Sequence, residues 1–369
     1  EAIKAGEAAD AVLVLGLPQH SLVQIRTIWA PWLAGTNVAL RRPISIGALL
    51  SSMPAGFRAV VGAFQLATSC PVSVHPRALA AILARLWLGH AHARWWSRNA
   101  GVVERVSYGH TGTADTSQLE LAQQKKGAKT LHIVHGVSAG RNFLGLSNVA
   151  LWQCGHDADW HARLGGYGLN GWGAAARPSF RFGENGLLVL SNFAHPMNLG
   201  YRLAGIAEEE SFLREVSEAA RRVGIDGPWF WQPHPASRLL PADQVRSLSG
   251  LADDLGFQVS KTGRWTVDLA LASRWVISSE STAVIELMRV GIAPVMYPSR
   301  WGEVGAALSA YPIRASDLAS LVSALNLPLS DRERQFWKAW DSIRPAMPQA
   351  QLEIESPRIV STLAGAPKT

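Results

Sequence analysis

Cysteine is nearly absent from this chain, which contains only Cys70 and Cys154 in 369 residues. Two cysteines allow at most one disulfide and cannot supply the ligands of a structural zinc cluster. This scarcity fits a reducing compartment, so we expect a cytoplasmic protein.

Long apolar runs are absent as well. The longest stretch without Asp, Glu, Lys or Arg, residues 59–76, is interrupted by polar side chains and prolines, so we expect no membrane-spanning segment. No stretch has the pattern of a signal peptide, and no internal repeat appears at the periods of solenoids or propellers. These absences favour an ordinary globular protein.

Acidic residues are fewer than basic ones, with 28 Asp and Glu against 35 Lys and Arg, which gives a net charge of +7. This balance favours an anionic partner such as nucleic acid, an acidic glycan or an anionic bilayer. No nucleic-acid-binding motif is recognisable, so we expect no nucleic acid partner. The content of hydrophobic residues, 48%, is typical of a folded protein, and 369 residues predict two domains.

Residues 275–298, WVISSESTAVIELMRVGIAPVMYP, organise the second half of the chain. They predict a strand, then a hydroxyl cluster with Ser279, Ser281 and Thr282, then an amphipathic helix and a second strand. Hydroxyl groups, backbone N–H groups and the helix dipole at the start of such a helix favour an anion. An ordinary helix cap formed by Ser281 or Thr282 would explain the same residues.

An aromatic strand is predicted upstream by residues 229–235, WFWQPHP, and it ends at His234 and Pro235. Ligands of parallel α/β sheets bind beyond the carboxyl ends of the strands, so His234 and the hydroxyl cluster are expected at one edge. An imidazole can donate a hydrogen bond to a phosphate oxygen. The alternative is a histidine that only fills a strand end, because Pro76 and Pro196 also follow histidines.

This order of elements resembles the nucleotide-binding half of GT-B glycosyltransferases that use cytidine-activated donors. They include bacterial sialyltransferases, capsule Kdo transferases and CDP-glycerol polymerases. The resemblance covers the last half of the chain and, in outline, the first. It implies that the donor is bound by a set of strand-end and helix-start residues, with Glu286 facing the ribose. The set is His234, Pro235, Ser279, Ser281, Thr282 and Glu286, with Ser191 and Asn192 as secondary candidates.

A strand–helix–strand unit is predicted over residues 103–136, and it places loops 109–115 and 135–141 at one sheet edge. His135 is a candidate general base for an acceptor hydroxyl, because histidine has a suitable ordinary pKa. His135 and Gly136 resemble the HG of the CDP-glycerol polymerases, whereas the sialyl and Kdo enzymes carry an acidic pair before that glycine. Asp115 could act as the base instead, or could simply cap the following helix.

Metal-capable residues are concentrated in one short run, which contains Cys154, His156, Asp157, Asp159 and His161. Their spacing matches no zinc signature, so we expect neither a metal ion nor a cofactor.

Two other segments have compositions that predict irregular structure. The glycine-rich residues 165–178 have the composition of a linker between domains. Residues 36–76 alternate apolar runs with Gly, Ser and Pro, which favours short strands.

A long helix is predicted over residues 78–100, where arginines alternate with Trp87, Trp95 and Trp96. This pattern suits peripheral contact with an anionic membrane. It equally suits an ordinary helix with a tryptophan core face and a solvated arginine face.

We therefore expect an α/β fold of two Rossmann-like parallel-sheet domains facing across a cleft, as in GT-B enzymes. The expected divisions are an acceptor domain at 1–175, a donor domain at 183–330, and a C-terminal helical segment at 331–369 that returns to the first domain. The resemblance implies a metal-independent transfer of a sugar from a cytidine-activated donor, CMP-Kdo or CMP-sialic acid, to a bacterial surface glycan or glycolipid. The alternatives are a polyol-phosphate transferase, a pyruvyltransferase, an epimerase, or a non-catalytic module that binds an acidic polymer.

Overall fold

The structure is a computed structural model in which part of the chain is described. The described residues are 12–15, 38–41, 46–69, 87, 90–91, 105–108, 120–134, 146–164, 168–194, 205–234, 237, 240–260, 266–298, 308 and 311–365. All statements about structure below refer to these residues.

A five-stranded parallel sheet is the larger of the two main sheets. Its strands are β7 (Asn185–Ser191), β8 (Trp229–Pro233), β9 (Phe257–Val259), β10 (Ser273–Ser278) and β11 (Val295–Met296). Their order across the sheet is β11-β10-β7-β8-β9, and every neighbouring pair is parallel. The strand that comes first in sequence, β7, is therefore central, and the order reverses between β7 and β10.

Both faces of this sheet are covered, which explains why its central strands are continuously apolar. On one face Leu187, Val189 and Ile277 belong to the largest core cluster of the molecule. On the other face Leu188 and Val276 belong to a smaller cluster. The run LLVL in β7 thus supplies side chains to both sides of the sheet in alternation.

Helices connect the strands of this sheet and continue beyond it. They are α3 (Gly205–Val223), α4 (Ala242–Asp254), α5 (Thr266–Ala272), α6 (Ala283–Arg289), α7 (Leu318–Leu325), α8 (Leu329–Ile343) and α9 (Gln349–Gly365). Asp317 caps α7, because its carboxylate accepts a hydrogen bond from the Ser320 N–H at 2.7 Å. The connections with a helix between parallel strands make this half an α/β fold.

A four-stranded parallel sheet forms the other main sheet. Its strands are β3 (Arg105–Tyr108), β4 (Lys129–Ile133), β5 (Val149–Leu151) and β6 (Leu169–Gly171), in that order across the sheet. Helix α2 (Gly155–Leu164) connects β5 to β6. A separate parallel pair is formed by β1 (Val12–Leu15) and β2 (Val38–Arg41), and helix α1 (Ile46–Ser69) follows it.

The segment after α8 crosses from the five-stranded sheet to the four-stranded one. Residues 344–347 lie between two stretches of the first half, because Gly155 N donates to Arg344 O at 2.8 Å and Ala175 N donates to Pro345 O at 3.0 Å. Helix α9 then packs on the four-stranded sheet through Leu352, Ile359 and Leu363. The end of the described chain thereby completes the core of the first half.

The α/β class with parallel sheets, predicted from sequence, is confirmed by the strand pairings. One local expectation is confirmed only in part and another is wrong. Within residues 36–76, residues 38–41 form the strand β2 as expected, but residues 46–69 form the helix α1 with Pro54 inside it. Residues 169–171 of the glycine-rich segment form β6, because the backbone pairs with β5 whatever its side chains. Among the described residues, no helix is both long enough and apolar enough to cross a bilayer.

Candidate functional site

The candidate site lies where the strand order of the five-stranded sheet reverses. The connection after β7 leads to β8 on one side, and the connection after β10 leads to β11 on the other. The two loops therefore diverge, and in open α/β sheets the crevice that binds ligands is expected at this point, the carboxyl ends of β7 and β10. Ser191 is the last residue of β7 and Asn192 follows it, while residues 279–282 follow β10.

Asn192 joins the two loops that border this crevice. Its side-chain amide donates to the carbonyl of Glu280, and its amide oxygen accepts from the Ser279 hydroxyl at 3.0 Å. Ser279 is fully buried, and its N–H continues the strand pairing by donating to Leu190 O at 2.9 Å. Asn192 and Ser279 therefore hold the loops in register beneath the crevice.

Glu209 fixes the turn that follows β7 from the side of α3. Its fully buried carboxyl accepts hydrogen bonds from the N–H groups of Phe193 at 3.2 Å and Ala194 at 3.0 Å. The Ser191 hydroxyl accepts from the indole of Trp231 at 2.8 Å and contacts the same carboxyl. Burial raises the pKa of Glu209, and the hydrogen bonds only partly oppose this effect.

Helix α6 begins at the crevice with Ser281 and Thr282. The Ser281 hydroxyl accepts a hydrogen bond from Ala283 N at 3.2 Å, so this serine provides the cap. Thr282 makes no capping bond, and within the described residues its half-buried hydroxyl has no hydrogen-bond partner. It is free to donate to a ligand. Glu286 lies one turn further along on the exposed side of α6.

His234 directly follows β8 and is half-buried. Strand β8 lies next to β7 and therefore two strands from β10, which corresponds to about 10 Å between strand axes. A ligand the size of a nucleotide could reach from the imidazole to Thr282. Pro235, and the candidate bases His135 and Asp115, lie outside the described residues.

A hydrogen-bonded chain connects α6 to the four-stranded sheet. The Arg289 guanidinium, at the end of α6, donates to the Gln153 side-chain oxygen at 2.7 Å and to the carbonyl of Ala346. Gln153 is buried, and its amide group donates in turn to the carbonyl of Val134 at 2.7 Å. Val134 follows β4 and directly precedes His135 in the sequence. Helix α6 therefore has the hydroxyl cluster at its start, and its last residue is linked to the end of β4 through Gln153.

Sequence reasoning missed this connection. Arg289 reads as a basic residue at a helix end, where the dipole alone would justify it. In the structure burial lowers its pKa, and nearby Glu286 partly opposes this. Gln153 could have been identified as the partner of Arg289 only from a prediction of which strand end lies beside α6.

The metal-capable run is divided among several local contacts, in which Asp157 interacts with the Cys154 thiol and lies 3.9 Å from His156. His161 stacks on Trp152 with ring centroids 3.9 Å apart, and Asp159 pairs with Arg344 at the surface. Cys154 is buried in the large core, and burial raises the pKa of its thiol. In the described parts of the chain, no three His, Cys, Asp or Glu side chains are grouped so that they could hold a metal ion.

Comparisons with known proteins concern the fold. No protein-family model matches the chain, and no curated protein matches its sequence. Acinetobacter baumannii MurG is similar over 96% of this chain and 99% of its own, at 12% identity and a TM-score of 0.44. The UDP-GlcNAc 2-epimerase from Methanocaldococcus jannaschii is similar over 95% of this chain and 99% of its own, at 11% identity and a TM-score of 0.46.

A third similar structure contains accessory secretory proteins 1, 2 and 3 of Streptococcus pneumoniae. It matches 75% of this chain and 58% of its own, at 10% identity and a TM-score of 0.40. This chain thus spans little more than half of that protein. Identities of 10–12% leave the argument about function to the residues of the site.

The connection through Arg289 and Gln153 predicts a non-additive double variant. Arg289→Met and Gln153→Met each leave a buried polar partner unsatisfied, so each is expected to lower the free energy of unfolding by about 2 kcal/mol. The double variant should cost about 1 kcal/mol less than the sum. Urea unfolding measures all three, with the exposed Asp341→Asn as a control expected to cost at most about 0.5 kcal/mol. Strictly additive losses would contradict the coupling.

The raised pKa of Glu209 predicts a pH-dependent difference in stability. The folded state binds this proton more tightly than the unfolded chain, so its contribution is complete below the ordinary pKa of 4.5 and is lost as pH rises through the raised value. Glu209→Gln keeps an acceptor for the two N–H groups and cannot ionise. Thermal unfolding from about pH 4 to 8 should show the variant gaining on the wild type as pH rises above 4.5. Glu210→Gln on the same helix is the control, and a constant difference would refute the prediction.

Proposed function

We propose that this protein is a GT-B glycosyltransferase that moves a sugar from a nucleotide-activated donor to a glycan or glycolipid acceptor. The observation that carries the proposal is that Asn192 joins the loop after β7 to the loop that leads to Ser281 and Thr282, at the point where the strand order reverses. The order of motifs along the chain, HP after β8 and S-x-x-S/T after β10, supports the same class by resemblance.

The donor phosphate would lie at the start of α6. Thr282 offers a free hydroxyl, Ser281 shapes the turn, and His234 approaches from the end of β8. Hydrogen-bond donors of this kind stabilise the negative charge that develops on the phosphate as it leaves. With hydroxyl, imidazole and backbone N–H groups in this role, we propose that the reaction needs neither a metal ion nor a cofactor.

Asn192, Ser279 and Ser191 would act in a different way. All three are engaged in hydrogen bonds within the protein, and both serines are buried. They would hold the loops that present Thr282, so that little ordering remains when the donor binds. Glu286, exposed on α6, is placed at the ribose by resemblance.

The acceptor would bind on the side of the four-stranded sheet, with His135 or Asp115 as the base. His135 follows Val134, whose carbonyl is held by Gln153 and thereby by Arg289. Helix α6 has seven residues, so its two ends are about 10 Å apart. This arrangement would set the distance between the base and the donor phosphate.

In this proposal residues 1–175 form the acceptor domain and residues 183–330 the donor domain. The C-terminal segment 331–369 would return to the first domain through α9, which packs on the four-stranded sheet, whereas Phe336 and Trp340 of α8 belong to the core of the five-stranded sheet. We propose a cytoplasmic enzyme with a cytidine-activated donor, CMP-Kdo or CMP-sialic acid. The pair His135 and Gly136 keeps a polyol-phosphate transferase as the second candidate.

A panel of nucleotides tests the donor site. CMP should raise the unfolding temperature more than CDP, UDP, GDP or ADP at equal concentration, because a ligand that binds only the folded state stabilises it. Thr282→Val and His234→Ala should each weaken binding about tenfold, since each removes a hydrogen bond to a charged group. The control is Thr362→Val on α9, whose hydroxyl donates only to Arg358 O.

Each result of the panel has a distinct meaning. A larger shift with CDP would favour polyol-phosphate transfer. A larger shift with UDP or GDP would overturn the cytidine donor and keep the transferase. No shift with any nucleotide, or unchanged binding in Thr282→Val and His234→Ala, would reject the proposed site.

A second experiment tests the base. His135→Ala should slow single-turnover transfer at least about a hundredfold while nucleotide affinity stays the same, because general-base catalysis typically contributes at least that factor. Asp115→Asn is the comparison, since a helix cap would lower stability and leave the rate unchanged. If His135→Ala transfers at the wild-type rate and Asp115→Asn does not, Asp115 is the base.

A further inference from the structure

The excess positive charge of the protein is confined to one part of the sequence. Residues 11–103 contain no aspartate, glutamate or lysine, and all of their charged residues are arginines. These are Arg26, Arg41, Arg42, Arg58, Arg77, Arg85, Arg94 and Arg98. The whole chain has a net charge of +7, so the remainder of the chain is close to neutral. A separate cationic segment of this kind predicts an anionic partner for that part of the molecule.

Helix α1 lies within this segment and exposes an apolar stripe. Leu50, Met53, Phe57 and Val61 are 61%, 53%, 70% and 41% exposed. Their spacings of three and four residues place them on one face of the helix. Four large side chains in a row on one helix form a continuous patch, which is characteristic of interaction surfaces and not of ordinary protein surface.

The opposite side of α1 is already used inside the protein. Ser52 is fully buried and accepts a hydrogen bond from the indole N–H of Trp87 at 3.0 Å. A side chain at Gly56 would come within 2.8 Å of the Trp87 ring. Trp87 thus packs against α1, although the sequence pattern around it also fitted a membrane contact. The apolar stripe therefore faces solvent on a helix whose other side packs against Trp87.

Charge decides between the partners that could cover this stripe. Arg58, the only charged residue of α1, lies next to Phe57 and is exposed. Pairing of α1 with α1 of a second copy would bring together two helices that each carry an arginine and no acidic residue, and nucleic acid would leave the apolar stripe in water. An anionic bilayer accepts both features, because apolar side chains enter the acyl region while arginines meet lipid phosphates.

We propose that the stripe formed by Leu50, Met53, Phe57 and Val61 on α1 docks this protein on the surface of an anionic bilayer, with Arg58 at the level of the lipid phosphates. The contact is peripheral, because α1 lies on the membrane and does not cross it. The proposal stands apart from the donor chemistry. If both hold, docking brings the candidate site to an acceptor carried by lipid.

Vesicle sedimentation tests the apolar part of the contact. The full chain should bind vesicles of phosphatidylglycerol and phosphatidylcholine, and bind those of phosphatidylcholine alone much more weakly. Phe57→Ser and Leu50→Ser should each reduce partitioning about tenfold, since each removes a buried apolar side chain from the bound state. Leu164→Ser, at a leucine 59% exposed at the end of α2, is the matched control and should bind as the wild type does.

A second arm tests the charge. Arg58→Gln should weaken binding to the anionic vesicles about fivefold, the value expected for one basic residue near such a surface. Binding of the wild type should also fall as salt is raised from about 0.05 to 0.5 M, because the Debye length shortens. The variants replace exposed side chains, so their unfolding temperatures should match that of the wild type.

Three outcomes would overturn the proposal. The first is absence of binding to the anionic vesicles. The second is equal loss of binding in Phe57→Ser and Leu164→Ser. The third is a dimer in light scattering that Phe57→Ser dissociates without any change in vesicle binding, which would assign the stripe to a second copy. Nucleotide binding is not involved in any of these measurements, so they remain informative if the proposed donor site fails.

Discussion

The guanidinium of Arg289 links the two halves of the structure that contain the two main sheets. Its hydrogen bonds to Gln153 and Ala346 join helix α6 to the ends of strands in the other sheet and to the crossing segment 344–347. Burial makes these bonds matter, since an unsatisfied group there would cost far more than the net value of a hydrogen bond. A displacement of α6 would therefore displace the end of β4, and a displacement of the end of β4 would displace α6.

Buried polar contacts also determine the form of the candidate site. Asn192 connects the loops after β7 and β10, and Glu209 holds the turn that follows Asn192. The side chains nearest the crevice are therefore divided into two groups. Asn192, Ser279 and Ser191 are hydrogen-bonded within the protein, whereas the hydroxyl of Thr282 has no hydrogen-bond partner among the described residues. Such a division allows the loops to keep their arrangement when no ligand is bound.

Sequence patterns predicted much of the five-stranded sheet, because apolar runs with their periodicity are local signals. The aromatic run that forms β8 and the strand–helix–strand order of residues 275–298 are examples. Patterns failed where distant contacts decide the structure. Pro54 and several glycines and serines argued against the helix at residues 46–69, and Gly171 concealed β6, which is stabilised by backbone pairing. The partnership of Arg289 with Gln153 spans 136 residues and has no local signature.

The crossing segment also affects the order in which the chain can fold. Leu352 packs with Leu131 and Leu151, so the four-stranded sheet lacks part of its core until α9 is available. During synthesis, all residues of the five-stranded sheet have been made before α9 emerges. The four-stranded sheet, made earlier still, keeps an apolar face exposed to water until α9 is available. Contacts of such long sequence separation are slow to form, and the waiting surface is a natural place for a chaperone to bind.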